Sequence, residues 1–172
     1  MKLKIFVLFL IIFFAKINAQ QQYPFFQQLA FDFYTQKIVN EFPRKERIRI
    51  TKSLNDDCDG QLFYIPNCLK SCLTKVDSVE ALDYYRYLYS DNSRRDELNL
   101  ENIDPKQFKI KRNCNGNFPR LVVLYPKRYK ERIFVNIHEK WEKRSVVYVV
   151  EFDIDGKIID WCREEFFWQI EY

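Results

Sequence analysis

Glycine is nearly missing from this sequence. Only three glycines stand among 172 residues, and each follows Asp or Asn: Asp59-Gly60, Asn115-Gly116 and Asp155-Gly156. Such dipeptides tolerate positive φ and mark tight turns. With every glycine used as a turn, no glycine-rich loop remains to cradle a phosphate or a dinucleotide. Histidine is scarcer still, since His138 is the only one. A His-containing nucleophilic triad has to use it, and Ser145, close in sequence, is flanked by no nucleophile-elbow glycines. Cys-X-X-Cys pairs are also absent, which together with the single histidine argues against a zinc site. Cys68 and Cys72 are separated by three residues, not by the two of a redox loop. No Pro/Gly/Ser-rich linker, repeat or low-complexity tract follows the short Gln20-Gln21-Gln22 stretch.

What is present begins with an export signal. Lys2 and Lys4 precede an unbroken apolar run from Ile5 to Ala15, and Lys16-Ile17-Asn18-Ala19 follows. A basic start, a short apolar stretch and a small residue at the cleavage point form the signal-peptide pattern. The run falls short of the ~20 apolar residues of a transmembrane helix. Residues 1–19 are therefore expected to be removed, leaving 20–172 as one domain, secreted or periplasmic and without a stable membrane anchor.

Removal of that segment changes the charge argument. Lys2, Lys4 and Lys16 go with it, so 28 basic residues become 25 against 24 acidic ones, and the net charge falls from +4 to +1. A near-neutral chain has no long-range field to draw in nucleic acid. Aromatic residues are plentiful, with 16 Phe, 11 Tyr and 3 Trp, and a disordered chain lacks them.

Phe26, Leu29, Ala30, Phe33, Ile38 and Phe42 recur at three- and four-residue steps. Their spacing predicts a helix from Phe25 to Phe42, bounded by Pro24 and Pro43. Arg47 to Thr51 alternates as a strand does. Asn67 is placed to cap a short helix through Lys75, and Asp77 with Glu80 to cap another from Ser78 to Tyr89. From Phe108 the period becomes two, giving strands at 107–114, 120–125, 131–139, 145–153 and 157–163, with an extended piece at 166–170. Helices followed by strands on short turns predict an α+β fold: a long N-terminal helix packed on a curved antiparallel sheet of about 5–6 strands, with a disulfide-bearing helical insertion at 55–75.

This layout, with the hairpin Val149-Val150-Glu151-Phe152-Asp153-Ile154-Asp155-Gly156-Lys157-Ile158-Ile159, resembles the small exported bacterial domains of the cystatin-like and NTF2-like α+β class. The resemblance implies a cone-shaped fold and no particular activity, because that fold hosts enzymes, pocket binders and interaction domains.

Cys58, Cys68, Cys72, Cys114 and Cys162 are disulfide candidates in an exported chain. Five is odd, so at least one is left over, and the pairing stays open. Bridges from Cys68 and Cys72 to distant partners are favoured, because they would tie the insertion to the sheet. Two acidic turns, Asp57-Cys58-Asp59-Gly60 and Asp153-Ile154-Asp155-Gly156, share part of the carboxylate spacing of a calcium loop. Position twelve falls on Pro66 or Cys162 where a bidentate Glu is needed. No metal or cofactor is expected. His138 is the one candidate catalytic base, with a partly exposed sheet histidine as the plainer reading. Trp161, Phe166, Phe167 and Trp168 are the candidate binding patch, and the helix tyrosines Tyr84, Tyr85, Tyr87 and Tyr89 pose the same choice between core and patch.

The leading expectation is a non-enzymatic exported domain that binds a protein partner or a small apolar ligand, an immunity-type inhibitor of a toxin being one version. The alternatives are a pocket hydrolase or isomerase using His138 or an Asp, and an envelope structural component.

Overall fold

Four fully buried side chains on the N-terminal helix, Phe26, Ala30, Tyr34 and Ile38, are spaced four residues apart. On an α-helix of 3.6 residues per turn, such a stripe drifts by about 40° at each step. The chain takes the drift back with a wider turn. Helix α1 is α-helical over Phe26–Phe33, π-helical over Tyr34–Ile38 and α-helical again over Val39–Glu41. The structure, a computed structural model, describes residues 24–52, 54, 83–84, 97–112 and 118–167.

The strands are β1 (Ile48–Thr51), β2 (Asp83–Tyr84), β3 (Phe108–Lys111), β4 (Arg120–Val123), β5 (Lys127–Tyr129), β6 (Arg132–Lys140), β7 (Arg144–Asp153) and β8 (Ile158–Phe167). They form one eight-stranded mixed sheet. β6 is central. Along one side it pairs with β5 near its start and with β4 near its end, and along the other with the whole of β7. β7 pairs with β8, β2 with β5, and β1 lies parallel to both β3 and β4.

Strand alternation sorts the side chains. Ile133, Val135 and Ile137 of β6 and Val146, Tyr148, Val150 and Phe152 of β7 share a core with the helix. The Phe26 ring meets Phe152 edge-on at 5.5 Å, and Tyr34 meets Tyr148 at 5.3 Å. The opposite face of the hairpin is buried too, through Phe134, Asn136, His138, Val147 and Val149. The β7–β8 turn is held by the Asp153 carboxylate, which accepts the amides of Asp155 (3.1 Å) and Lys157 (2.8 Å), and by Gly156 at φ +88°.

These observations correct the expected architecture. The fold is mostly sheet, and the sheet is mixed, not antiparallel. The one helix among the described residues, of 16 residues, is only about 24 Å long, whereas a ten-residue strand reaches about 34 Å. The physical reason for the mixed pairing lies in β1. Its alternation announces a strand but carries no direction, and the long excursion from residue 52 to 107 permits the parallel crossover that a short turn forbids. The expected disulfide-bearing insertion at 55–75 lies outside the described residues, as does any disulfide partner of Cys162, the one cysteine among them. Part of the expected helix 78–89 is instead strand β2, and the extended pieces at 157–163 and 166–170 join as β8 up to Phe167. The signal segment 1–19 lies outside the described residues.

Candidate functional site

The period-two pattern of β6 continues past Ile133, Val135 and Ile137 to Glu139, and so carries a carboxylate into the core. Glu139 faces Leu121 of β4 on one side and Val146 of β7 on the other. Four donors converge on it. Its Oε1 accepts the Tyr34 hydroxyl in a short hydrogen bond, Arg44 Nη1 at 3.2 Å and the Tyr148 hydroxyl at 3.3 Å, and its Oε2 accepts Trp141 Nε1 at 3.3 Å. Arg44 Nη1 also donates to the Tyr34 oxygen at 2.6 Å. The Arg44 and Glu139 side chains are 6% and 5% exposed, so this is a buried ion pair.

The π-helical turn places Tyr34 here, at the first position of the widened segment. Arg44 comes from the chain just beyond the helix, and its guanidinium lies 5.0 Å from the centre of the Phe108 ring and 5.5 Å from that of Tyr34. Its Nε and Nη2 are buried without hydrogen-bond partners. Burial, followed by the nearby Glu139 charge, pushes the Tyr34 hydroxyl well above its ordinary pKa. The same two causes push Tyr148 up to about 12. Both hydroxyls therefore stay protonated at neutral pH and act as donors. The Glu139 carboxylate and these partners join helix, connector and hairpin.

A second arrangement lies nearer the surface, where the end of helix α1 meets β8. Trp161 is half-buried, with the Phe33 ring 6.0 Å and the Phe42 ring 6.4 Å away, both edge-on. Lys37 Nζ lies 5.4 Å from the Phe33 ring and 5.9 Å from Trp161, and Arg163 lies 5.1 Å from Phe42. Phe42 is 41% exposed and Phe167, further along β8 on the same face, 71%. Glu165 closes the far side, with Arg163 at 2.7 Å and Arg144 at 2.9 Å. Burial alone would raise the Glu165 carboxyl, but the two arginines hold it below its usual range.

The residues singled out from sequence are dispersed. Trp161 and Phe167 share the helix-side face, whereas Phe166 pairs with Ser145 on the opposite one; Trp168 lies outside the described residues. His138 is buried, not partly exposed, between Val122 and Val147 on the face away from Glu139. Burial, with a smaller contribution from Lys140, lowers its pKa to about 4, and its Nε2 has no hydrogen-bond partner. Cys162 is buried opposite Val149, and Cys58, Cys68, Cys72 and Cys114 lie outside the described residues. No group of three potential metal ligands occurs among the described residues, and no described helix is long and apolar enough to cross a membrane.

Sequence reasoning passed over Tyr34, Arg44, Glu139, Trp141 and Tyr148. The signal was there for one of them: an acidic residue at the next core-facing position of an apolar alternation. Arg44 gives no such signal, because it belongs to no periodic element. No protein-family model, curated protein or solved structure matches this chain.

Proposed function

We propose that this chain is an exported, non-enzymatic binding domain that takes a protein partner or an apolar ligand on the face built by Phe33, Phe42, Trp161 and Phe167. The observation that carries the reading is the exposure of Phe42 and Phe167 on one face with the half-buried Trp161. Large exposed aromatics grouped on one face mark interaction surfaces, and aromatic anchors beside arginine are the residues that dominate interface energies. Lys37 and Arg163 at its edges add polar selectivity. An immunity-type role, in which the face covers a toxin, is one form of the same reading.

The test compares wild-type protein with Phe42→Ser and Phe167→Ser, both at exposed positions. Affinity capture from the envelope fraction and titration with an apolar fluorescent probe are the measurements. A stoichiometric partner or saturable probe binding, weakened at least ~30-fold by the substitutions at unchanged melting temperature, supports the reading; such a loss corresponds to about 2 kcal/mol. Absence of both partner and probe binding overturns it.

A further inference from the structure

Strand β8 is the outer strand on its side of the sheet, since among the described strands it pairs with β7 alone. The β7 ladder shows which of its backbone groups face away. Asp153 donates its amide to the Lys157 carbonyl at 3.0 Å. Strand alternation then turns the amides and carbonyls of Glu151, Val149, Val147 and Ser145 toward β8, where their partners are Asp160, Cys162, Glu164 and Phe166. The residues between, Trp161, Arg163, Glu165 and Phe167, direct theirs to the outer edge. The Trp161 amide accordingly goes to the Asp160 carboxylate, at 2.8 Å, and not into the ladder. No described strand takes up the outward groups of Arg163, Glu165 and Phe167. Side-chain exposure agrees with an open edge. Eight of the ten β7 residues are buried, whereas along β8 only Cys162 is, and Phe167 is 71% exposed.

Edge strands are ordinarily guarded by Pro, Lys, short length or a bulge. β8 runs for ten residues with neither Pro nor Lys, and its one irregularity lies at its start, opposite Glu151 and Phe152. The charges at its outward positions, Arg163 and Glu165, are of opposite sign and two residues apart. We propose that this edge pairs antiparallel with β8 of a second copy of the chain, about a two-fold axis at Glu164. Charge complementarity selects that register. An axis through Arg163 or through Glu165 sets like charges opposite one another, which destabilises a sheet. The axis at Glu164 sets Arg163 opposite Glu165 of the second copy, Glu165 opposite its Arg163, and Trp161 opposite its exposed Phe167. Within each chain Glu165 already holds Arg163 at 2.7 Å and Arg144 at 2.9 Å, so the pairing joins two existing charge networks. The groups that bind are those of the backbone, which do not depend on any side chain being free, and the side chains set the register. The cost is Glu164 opposite Glu164 of the second copy on the other sheet face; this residue already has an interaction within its own chain. The edge borders the aromatic face but needs no foreign partner or ligand.

The test is sedimentation equilibrium of the whole chain with neither partner nor probe present, so that it stands or falls apart from the aromatic-face reading. Wild-type protein is expected to show a monomer–dimer equilibrium. Arg163→Glu sets glutamate opposite Glu165, and Glu165→Arg sets arginine opposite Arg163. Each variant alone is expected to dimerise at least ~10-fold more weakly than wild type. An equimolar mixture of the two restores both opposite-charge pairs and is expected to dimerise within ~3-fold of wild type. That recovery separates a lost interface from a misfolded chain. A second measurement needs no variant. As wild-type concentration rises, the outward amides of Arg163, Glu165 and Phe167 are expected to exchange with solvent more slowly. Those of Cys162 and Glu164, already in the β7 ladder, are expected to change little. A wild-type chain that stays monomeric overturns the proposal. So does a dimer that both variants retain, a mixture of folded variants no tighter than either alone, or outward amides whose exchange ignores concentration.

Discussion

Glu139 is held by four donors, and the effect of disturbing the cluster depends on which partner is lost. Removing Arg44 leaves a buried carboxylate with neutral donors only. Breaking one side of a buried ion pair typically costs about 3–5 kcal/mol, whereas replacing both charges by apolar groups of similar volume is often neutral. Arg44→Met is therefore expected to lower unfolding stability by about 3–5 kcal/mol, and Arg44→Met with Glu139→Leu to recover most of that loss. Chemical denaturation of the two single variants and the double variant closes the cycle. A double variant no more stable than Arg44→Met would show that the carboxylate matters through the tyrosines and Trp141, not through its charge pairing. The cluster was half legible from the residues. Glu139 breaks an apolar alternation in plain view, while Tyr34 reads as one more aromatic on a helix stripe.

At the scale of elements, the π-helical turn and the Gly156 turn are two ends of one packing arrangement. The widened turn takes back part of the drift of the Phe26, Ala30, Tyr34 and Ile38 stripe at its last step, and the β7–β8 turn closes against the helix start. A β-carbon at Gly156 would lie 2.9 Å from Leu29 Cδ1 and 3.0 Å from the Pro24 ring, at a φ of +88° that L-residues rarely adopt. Gly156→Ala is expected to destabilise by about 1–3 kcal/mol through backbone strain, with the contact to Pro24 adding to it. The measurement is the denaturation midpoint at unchanged slope; an unchanged midpoint would mean that the turn shifts freely away from the helix. Asp155-Gly156 announced this turn in sequence because the dipeptide carries its own conformational preference. The π-turn gave no such notice, since a four-residue repeat of apolar side chains reads equally well as an ordinary helix. β5 escaped for a similar reason: three residues, two of them charged, show no alternation.

On the scale of the whole molecule, local patterning located strands but could not order them. The β6–β7 and β7–β8 hairpins follow from adjacency, whereas the parallel pairing of β1 is decided by contacts made across 60 residues of chain to β3 and 71 to β4. That long-range burial also sets how stability responds to pH. His138 is buried on one face of the sheet and Tyr148 in the core on the other, and their shifts act at opposite ends of the scale. The unfolded histidine takes a proton near pH 6.5, but the folded one only near pH 4. Between these values the unfolded state binds more protons, so stability falls as pH drops through that window, by about 3 kcal/mol in total at 1.36 kcal/mol per unit. The unfolded Tyr148 loses its proton near pH 10 and the folded one near 12, so stability falls again as pH rises through that range, and Tyr34 acts in the same direction. Melting temperature is thus expected to be flat from about pH 6.5 to 10 as far as these groups set it, and to decline on either side. His138→Leu, with Val122 and Val147 as neighbours, is expected to flatten the acid limb alone, and Tyr148→Phe to make the alkaline limb shallower, Tyr34 sustaining the remainder. An acid limb unchanged by His138→Leu would show that the carboxylates, not the buried imidazole, govern acid unfolding.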